Sequence, residues 1–133
     1  MFSHMMVGSD DLDKSKSFYD ALFTSVGGKA GIADPKGRPV YIHNGAVFLV
    51  TKPIDGKACT SGNGMTIGFA MDSTEQADKW HAAGAAAGGT PIEDAPGWRE
   101  GGGQRLYLAY LRDPDGNKLF ALHRGQVTIC RAG

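Results

Sequence analysis

The feature that most constrains the fold is a pattern of predicted elements that occurs twice along the chain. Each half begins with a short apolar run, continues into an amphipathic segment and ends in three apolar runs separated by turn residues. The apolar runs predict strands and the amphipathic segments predict helices. Since each half is too small to close a core alone, we expect one α+β domain over residues 1–133. In it, two βαβββ modules, at about 1–52 and 64–124, pack their cupped sheets side by side, with the helices on the outer face.

The two predicted helices have recognisable starts. Asp11 can cap the first helix, which the spacing of apolar residues predicts over 12–24. Ser73 is followed three residues later by Gln76, which is the capping box that opens many helices. Gly88 follows the second apolar stripe, at the place where helices commonly end. Each module therefore has one helix directly after its first strand.

Turn residues separate the strands. Asn44 and Gly45 form the dipeptide most typical of a two-residue hairpin turn. The run Asp-Pro-Asp-Gly-Asn at 113–117 predicts a second hairpin, with strands over 105–112 and 118–123. Residues 95–104, which contain three consecutive glycines, are predicted to form a mobile loop.

Composition excludes several classes of partner. The 14 basic and 14 acidic residues cancel, so no surplus of positive charge is present to bind a nucleic acid backbone. No apolar run reaches the roughly 20 residues that span a bilayer, and no secretory signal opens the chain. Cys59 and Cys130 form no CxxC pair and are expected to be free thiols. We therefore expect a soluble cytoplasmic protein that binds neither nucleic acid nor membrane.

Motifs in both halves resemble a known family. The first half contains His4, then Asp-Leu, Ser and Phe-Tyr at 11–19, and the second contains Thr66 and the sequence Asp-Pro-Asp-Gly-Asn-Lys-Leu-Phe at 113–120. Together they resemble the vicinal oxygen chelate superfamily, which includes glyoxalase I, the bleomycin-resistance proteins and the extradiol dioxygenases. The resemblance implies a tandem βαβββ fold, commonly dimeric, in which each cupped sheet encloses a cavity. It leaves open whether one chain or two exchanged modules fill each cup.

The metal site that the family uses is poorly matched. In its metal-dependent members, four side chains, usually His, Glu or Gln, project into the cup from the first and last strand of each module. Carried over, these positions are His4, the strand at 47–49, which offers no ligand, Thr66, and Phe120 in place of a Glu. A lone imidazole does not hold a divalent cation. We predict no cofactor; the alternative is Zn, Ni, Fe or Mn held by His4 with distant groups.

The resemblance also indicates which residues line the cup. Trp98 and Arg99, on the predicted loop, could close over a ligand, or could pack as ordinary surface residues. The hydroxyl of Tyr107 could bond a ligand within an apolar wall, whereas Tyr110 has the opposite strand parity and is expected beneath a helix. The candidate ligand-binding residues are His4, Met6, Phe48, Leu49, Thr66, Trp98, Arg99, Tyr107 and Phe120.

Three functions are compatible with these residues. The first is a binding protein of the bleomycin-resistance type, which holds a small molecule in an apolar, aromatic-lined cavity without the usual metal. The second is a metal-dependent glyoxalase-like lyase or isomerase, or a dioxygenase, with an unusual ligand set around His4. The third is a metal-free enzyme that uses His4 and Tyr107 as acid and base. We rank the binding protein first and expect a homodimer.

Overall fold

The computed structural model describes residues 1–125, and Cys130 lies outside them. We refer to β1–β4 with α1 as module one, and to β5–β9 with α2 as module two. The elements are β1 (Met5–Gly8), α1 (Leu12–Ser25), β2 (Ile32–Ala33), β3 (Pro39–His43), β4 (Ala46–Thr51), β5 (Ile67–Ala70), α2 (Thr74–Ala86), β6 (Thr90–Pro91), β7 (Gly97–Gly101), β8 (Gln104–Arg112) and β9 (Lys118–Arg124). The predicted α+β fold is confirmed.

Module one forms a four-stranded sheet in the order β1-β4-β3-β2, with β1 parallel to β4. The predicted two-residue turn between β3 and β4 is confirmed. Asn44 and Gly45 have φ values of 49° and 78°, the left-handed backbone that this turn requires at both positions. The predicted cap of α1 is also present, since the carboxylate of Asp11 accepts a hydrogen bond from the backbone N–H of Lys14 at 3.1 Å.

Module two forms a sheet in the order β5-β9-β8-β6, and β7 pairs with β8. The Ser73 hydroxyl caps α2 by accepting from the N–H of Gln76 at 3.0 Å. The Gln76 side chain reaches back to the N–H of Asp72 at 2.6 Å, so the box closes one residue earlier than its usual form.

The prediction of a mobile loop at residues 95–104 is wrong, because this segment contains β7. Five consecutive residues of β7 pair with β8 in antiparallel register. Gly102 and Gly103, with φ values of 58° and 76°, form the two-residue turn between the strands. Glycine adopts this backbone at little steric cost, so the glycine run makes a tight hairpin. Module two consequently has four strands after its helix where three were expected.

The two helices join the modules. α1 packs on β3 and β4, α2 packs on β8 and β9, and the helices pack on each other. At Gly84 of α2, an added Cβ would overlap Leu22 of α1 and Leu111 of β8, so the contact depends on the missing side chain. Within residues 1–125, neither helix has the length and apolar character needed to cross a membrane.

The turn at residues 113–117 also joins the modules. The carboxylate of Asp113, which is 3% exposed, accepts a hydrogen bond from the hydroxyl of Tyr19 in α1 at 2.5 Å. The carboxylate of Asp115 accepts another from the hydroxyl of Ser15 at 3.0 Å. The turn of the last hairpin is therefore seated on the first helix of the chain.

Candidate ligand-binding site

Each sheet has a face that contacts a helix, which we call the helix face, and an opposite, open face. Successive residues of a strand alternate between the two. In module one, Tyr41 and Phe48 share the helix face, because they are cross-strand partners and both contact Phe23 of α1. In module two the buried pair Leu111 and Leu119 identifies the helix face.

The candidate residues of module one lie on both faces. Met6 and Leu49 are cross-strand partners on the open face, where Met6 is exposed. Phe48 points the other way, into the core, with its ring 4.9 Å from that of Tyr19. His4 precedes β1, is exposed, and its Nδ1 lies 2.8 Å from the hydroxyl of Ser3. Phe48 therefore lies on a different face of the sheet from Met6 and Leu49, and is separate from His4, which precedes the sheet.

In module two, Tyr107 and Tyr110 each lie on the face of the sheet where the other was expected. Phe120 and Thr66 belong to the open-face side of the sheet, but the cross-strand partner of Phe120 is Tyr110, with ring centroids 5.4 Å apart. Tyr107 pairs with His123 on the helix face. Placing Tyr107 beside Phe120 and Tyr110 beneath a helix was therefore wrong. Counting outward from the turn at 113–117 would have paired Tyr110 with Phe120.

The hydroxyl of Tyr107 is hydrogen-bonded to a side chain of α2. It donates a hydrogen bond to Asp78 at 2.6 Å. This hydrogen bond, together with burial and the charge of Asp78, raises the pKa of Tyr107 to about 12. The hydroxyl is therefore bonded to α2 on the helix face, on the opposite side of the sheet from Phe120.

Trp98 and Arg99 lie on β7 and point to opposite faces of the sheet. The Trp98 ring is 5.3 Å from that of Tyr107, and the guanidinium of Arg105 lies 4.2 Å above it. Arg99 donates a hydrogen bond to the carbonyl of Ala95 at 3.0 Å. Trp98 therefore packs on residues of β8, and Arg99 is bonded to the segment just before β7.

An apolar cavity of about 350 Å³ lies between the modules. Its wall in module one includes Phe23, Tyr41 and Phe48, and its wall in module two includes Phe69 and Trp80. The rings of Phe48 and Phe69 meet across the module boundary at 5.6 Å. Of the predicted site residues, only Phe48 lines this cavity. Sequence patterns do not separate the other four rings from ordinary core, because the cavity exists only where the modules meet.

The polar side chains of the cavity are few and mostly bonded to one another or to backbone. The amide of Asn44 lies 3.3 Å from Nε2 of His43. Gln76 donates to the carbonyl of Val26 at 3.4 Å, in addition to its role at the start of α2. The hydroxyl of Tyr41 donates to Asp20 at 2.8 Å. The cavity therefore suits a mainly apolar molecule that offers one polar group to His43 or Asn44.

The donors at the four family metal positions do not fit a divalent cation. They comprise the imidazole of His4, an apolar strand in β4, the hydroxyl of Thr66 and the ring of Phe120. Phe120 is packed over Gly68, where any Cβ would overlap its ring. Such a set lacks the second imidazole or carboxylate that stable coordination requires.

A separate group of possible ligands lies where the linker between the modules, residues 52–66, meets the turn at 113–117. Atoms of Asp10, Cys59 and Asp115 lie within 4.8 Å of one another. The groups bond to each other: Asp10 accepts from the N–H of Cys59 at 2.7 Å, and Asp115 accepts from the N–H of Asp10 at 3.0 Å. Burial, with hydrogen bonding to Asp10 and the charge of Asp115, raises the pKa of Cys59 to about 12. The three residues are therefore joined by hydrogen bonds within the group, including one from the Cys59 thiol to Asp115 at 3.5 Å.

Comparisons with known proteins agree with this architecture. A family model described as the Glyoxalase/Bleomycin resistance protein/Dioxygenase superfamily matches residues 1–119. A glyoxalase/bleomycin resistance protein from Albidiferax ferrireducens T118 is 55% identical, with a TM-score of 0.89 over 93% of this chain and 99% of that one. No match was found among curated proteins.

More distant structures share the fold alone. A glyoxalase-related enzyme from Fulvimarina pelagi is 22% identical, with a TM-score of 0.69 over 92% of this chain and 87% of its own. A lactoylglutathione lyase from Agrobacterium tumefaciens is 18% identical, with a TM-score of 0.64 over 92% of each chain. The two-module architecture is thus common to proteins that differ in most of their residues.

Proposed function

The chain belongs to the glyoxalase/bleomycin resistance protein/dioxygenase superfamily, and from this premise we propose that it binds a small apolar molecule in the cavity between its modules. The observation that carries the proposal is the cavity itself. Its volume of about 350 Å³ and its aromatic walls are typical of small-molecule sites. The bound molecule would contact both modules at once.

We further propose that binding needs no divalent metal. The chemistry of the donor set supports this, because His4 is the one competent ligand at the four positions that the family uses. Phe120 replaces a carboxylate at the fourth of these positions and offers no donor to a metal. The competing function is a metal-dependent lyase, isomerase or dioxygenase.

Titration with N-phenyl-1-naphthylamine, a neutral apolar fluorophore, tests the cavity. We expect a saturable rise in fluorescence with one site per chain. Ala46 is exposed, belongs to the helix-face side of β4 and lines the cavity, so Ala46→Phe would fill the space. This variant should weaken binding by about tenfold or more, because a ring then occupies the volume that the probe needs.

Ala85→Phe, on an exposed position of α2, is the matched control and should leave binding unchanged. If both variants bind the probe as tightly as the natural chain does, or if no variant saturates, the cavity is not the site.

Elemental analysis of the purified protein tests the metal-free part. We expect substoichiometric metal both before and after incubation with Zn, Ni, Fe or Mn and removal of the excess. A stoichiometric metal that is lost in the His4→Ala variant would overturn the proposal in favour of a metal enzyme.

We also propose that the protein is a homodimer whose second copy covers the open face of module one. The apolar side chains uncovered on this face support the proposal: Ile42 is 70% exposed and Ile32 is 77% exposed. Sedimentation should give a dimer for the natural chain and a monomer for Ile42→Asp. Ile54 in the linker is equally apolar and exposed, so Ile54→Asp should remain dimeric. A monomeric natural chain would contradict the proposal.

A further inference from the structure

A second, polar pocket lies at the end of the last hairpin, outside the cavity between the modules. Its volume is about 360 Å³. Residues 61–66 of the linker form one side, and Arg112 and Lys118 form the other. Neither cation lines the apolar cavity, so this pocket is independent of the proposed function.

The two cations are direct cross-strand partners, Arg112 at the end of β8 and Lys118 at the start of β9. Like charges directly opposite each other on a sheet are destabilising unless a counter-charge balances them. The neighbouring carboxylates of Asp113 and Asp115 are turned to module one, where they accept from Tyr19 and Ser15. They therefore do not serve as the counter-charge in the pocket.

Glu93 supplies part of the negative charge that balances Arg112 and Lys118. Its carboxylate lies 2.5 Å from the ammonium of Lys118. Its backbone has a φ of 60°, which a residue other than glycine retains only where the surroundings impose it. The ion pair is part of those surroundings. The Glu93 carboxylate is thus already paired with Lys118, one of the two cations.

Arg112 keeps most of its donor capacity within residues 1–125. Among them its guanidinium donates one hydrogen bond, to the carbonyl of Gly116 at 2.7 Å. A guanidinium carries five N–H donors in a planar arrangement that suits the paired oxygens of a carboxylate or phosphate. Two cations against one carboxylate leave the pocket with an excess positive charge. The hydroxyl-bearing Ser61 and Thr66 line its other side.

Beside the cations lies an aromatic surface. The ammonium of Lys118 is 5.1 Å from the ring centroid of Tyr110, and Tyr110 is 5.4 Å from Phe120. Both rings are half-buried on the open face. A planar ring attached to an anion could therefore pack on Phe120 and Tyr110 while its charged group reaches Arg112 and Lys118.

We propose that this pocket binds aromatic oxyanions, carboxylates or phosphates, through Arg112 and Lys118, and that the Glu93 carboxylate competes with them for Lys118. The proposal predicts opposite effects at two residues that contact each other. Removing Lys118 weakens binding, whereas neutralising Glu93 strengthens it, because the incoming anion no longer has to displace a resident one.

Calorimetric titration with phenyl phosphate and benzoate tests this and distinguishes the two anions. Inorganic phosphate and neutral benzamide separate the contributions of ring and charge, and each should bind more weakly than the compounds that combine both. We expect Lys118→Met to lower the affinity for the better anion by about tenfold, as loss of a charge-assisted hydrogen bond does. Glu93→Gln should raise it several-fold and leave benzamide unchanged.

Matched controls are Lys79→Met and Glu100→Gln, both at exposed positions outside the pocket, which should change nothing. Lys118→Met should also retain the binding of N-phenyl-1-naphthylamine, so that failure of this pocket and failure of the apolar cavity are told apart. If Glu93→Gln weakens anion binding or leaves it unchanged, or if Lys79→Met matches Lys118→Met, the proposal is wrong. Because Glu93 is exposed, its variant decides the question even if Lys118→Met does not fold.

Discussion

The last hairpin of module one and the last hairpin of module two carry the same aromatic pair at the same distance from their turns. Tyr41 pairs with Phe48, and Tyr110 pairs with Phe120, each two residues outside the pair that flanks the turn. Tyr41 and Phe48 lie on the helix face and are almost fully buried. Tyr110 and Phe120 lie on the open face and are half-buried.

Packing against the helix accounts for this difference. In module one, Tyr41 stacks on Phe23 of α1, with ring centroids 4.6 Å apart. In module two, Gly84 lets α2 approach Leu111, and the aromatic residue next to Leu111 is turned away. An identical pair, at the same distance from its turn, thus builds a core in one module and a surface in the other.

The largest expected effect comes from truncating the buried ring. Phe48→Ala should lower the free energy of unfolding by about 3–5 kcal/mol, because it leaves a cavity in the core. Phe120→Ala should cost about 1–2 kcal/mol, since its ring is only half-buried. Urea denaturation of both variants measures the difference. Equal losses would contradict the assignment of the two faces.

Between the two turns the order of the modules should be reversed, because the buried turn belongs to module two. Asp113→Ala removes a buried acceptor, leaves the Tyr19 hydroxyl unpaired and should cost about 3 kcal/mol. Asn44→Ala, in the exposed turn of module one, should cost about 1 kcal/mol through its positive φ. A double-mutant cycle of Asp113→Ala with Tyr19→Phe should show strong coupling, and additive losses would mean that the hydrogen bond contributes little.

Alkaline pH should act on the buried phenols. Burial, with the charge of Asp113, raises the pKa of Tyr19, and burial, with the hydrogen bond to Asp20, raises the pKa of Tyr41. Their stabilising contribution is complete below the unfolded pKa of about 10 and is lost above it, because the unfolded chain then ionises while the folded one keeps its protons.

The free energy of unfolding should fall by about 1.4 kcal/mol per pH unit for each such tyrosine. Denaturation midpoints between pH 8 and about 11 measure the slope. Tyr41→Phe should remove the contribution of one tyrosine from this slope. An unchanged slope would mean that a group other than Tyr41 titrates.

The smallest expected loss of stability comes from the residue that neighbours Phe48 or Phe120 on the adjacent strand. Met5 neighbours Phe48, whereas Gly68 neighbours Phe120 and leaves room for its ring. Gly68→Ala should displace this ring and cost about 1 kcal/mol, because the ring can move toward solvent. Gly101→Ala, with open space around the added Cβ, should be neutral and serves as the control. Changed nuclear magnetic resonance shifts of the Phe120 ring would report the displacement, and unchanged shifts would contradict it.

Local signals predicted most of the fold. The dipeptide Asn44–Gly45 and the box formed by Ser73 and Gln76 specify their structures through backbone geometry and nearby hydrogen bonds. The same reasoning failed for residues 101–103, because a glycine run is typical both of loops and of two-residue turns.

The face of Tyr107 and the cavity were harder to predict, for different reasons. Residues 106–111 are all apolar, so no alternation reveals which of them meet the helix, and only the pairing across the turn does. The cavity walls come from elements distant in the chain, so their meeting depends on how α1 and α2 pack. The metal positions were assigned through the family motif, and the metal-free site stays a prediction.

The contacts between the turn at 113–117 and α1 have a consequence for folding while the chain is being synthesised. Its contacts to Ser15, Tyr19 and the carbonyl of Gly8 join residues 100, 94 and 109 positions apart. While a ribosome makes the chain, α1 therefore emerges long before the acceptors for its inward hydroxyls exist. Contacts of such long sequence separation slow folding, because a large loop must close before they form. The inward hydroxyls of the first helix are paired by residues 94 and 100 positions further along the chain, so we expect the two modules to fold together rather than one after the other.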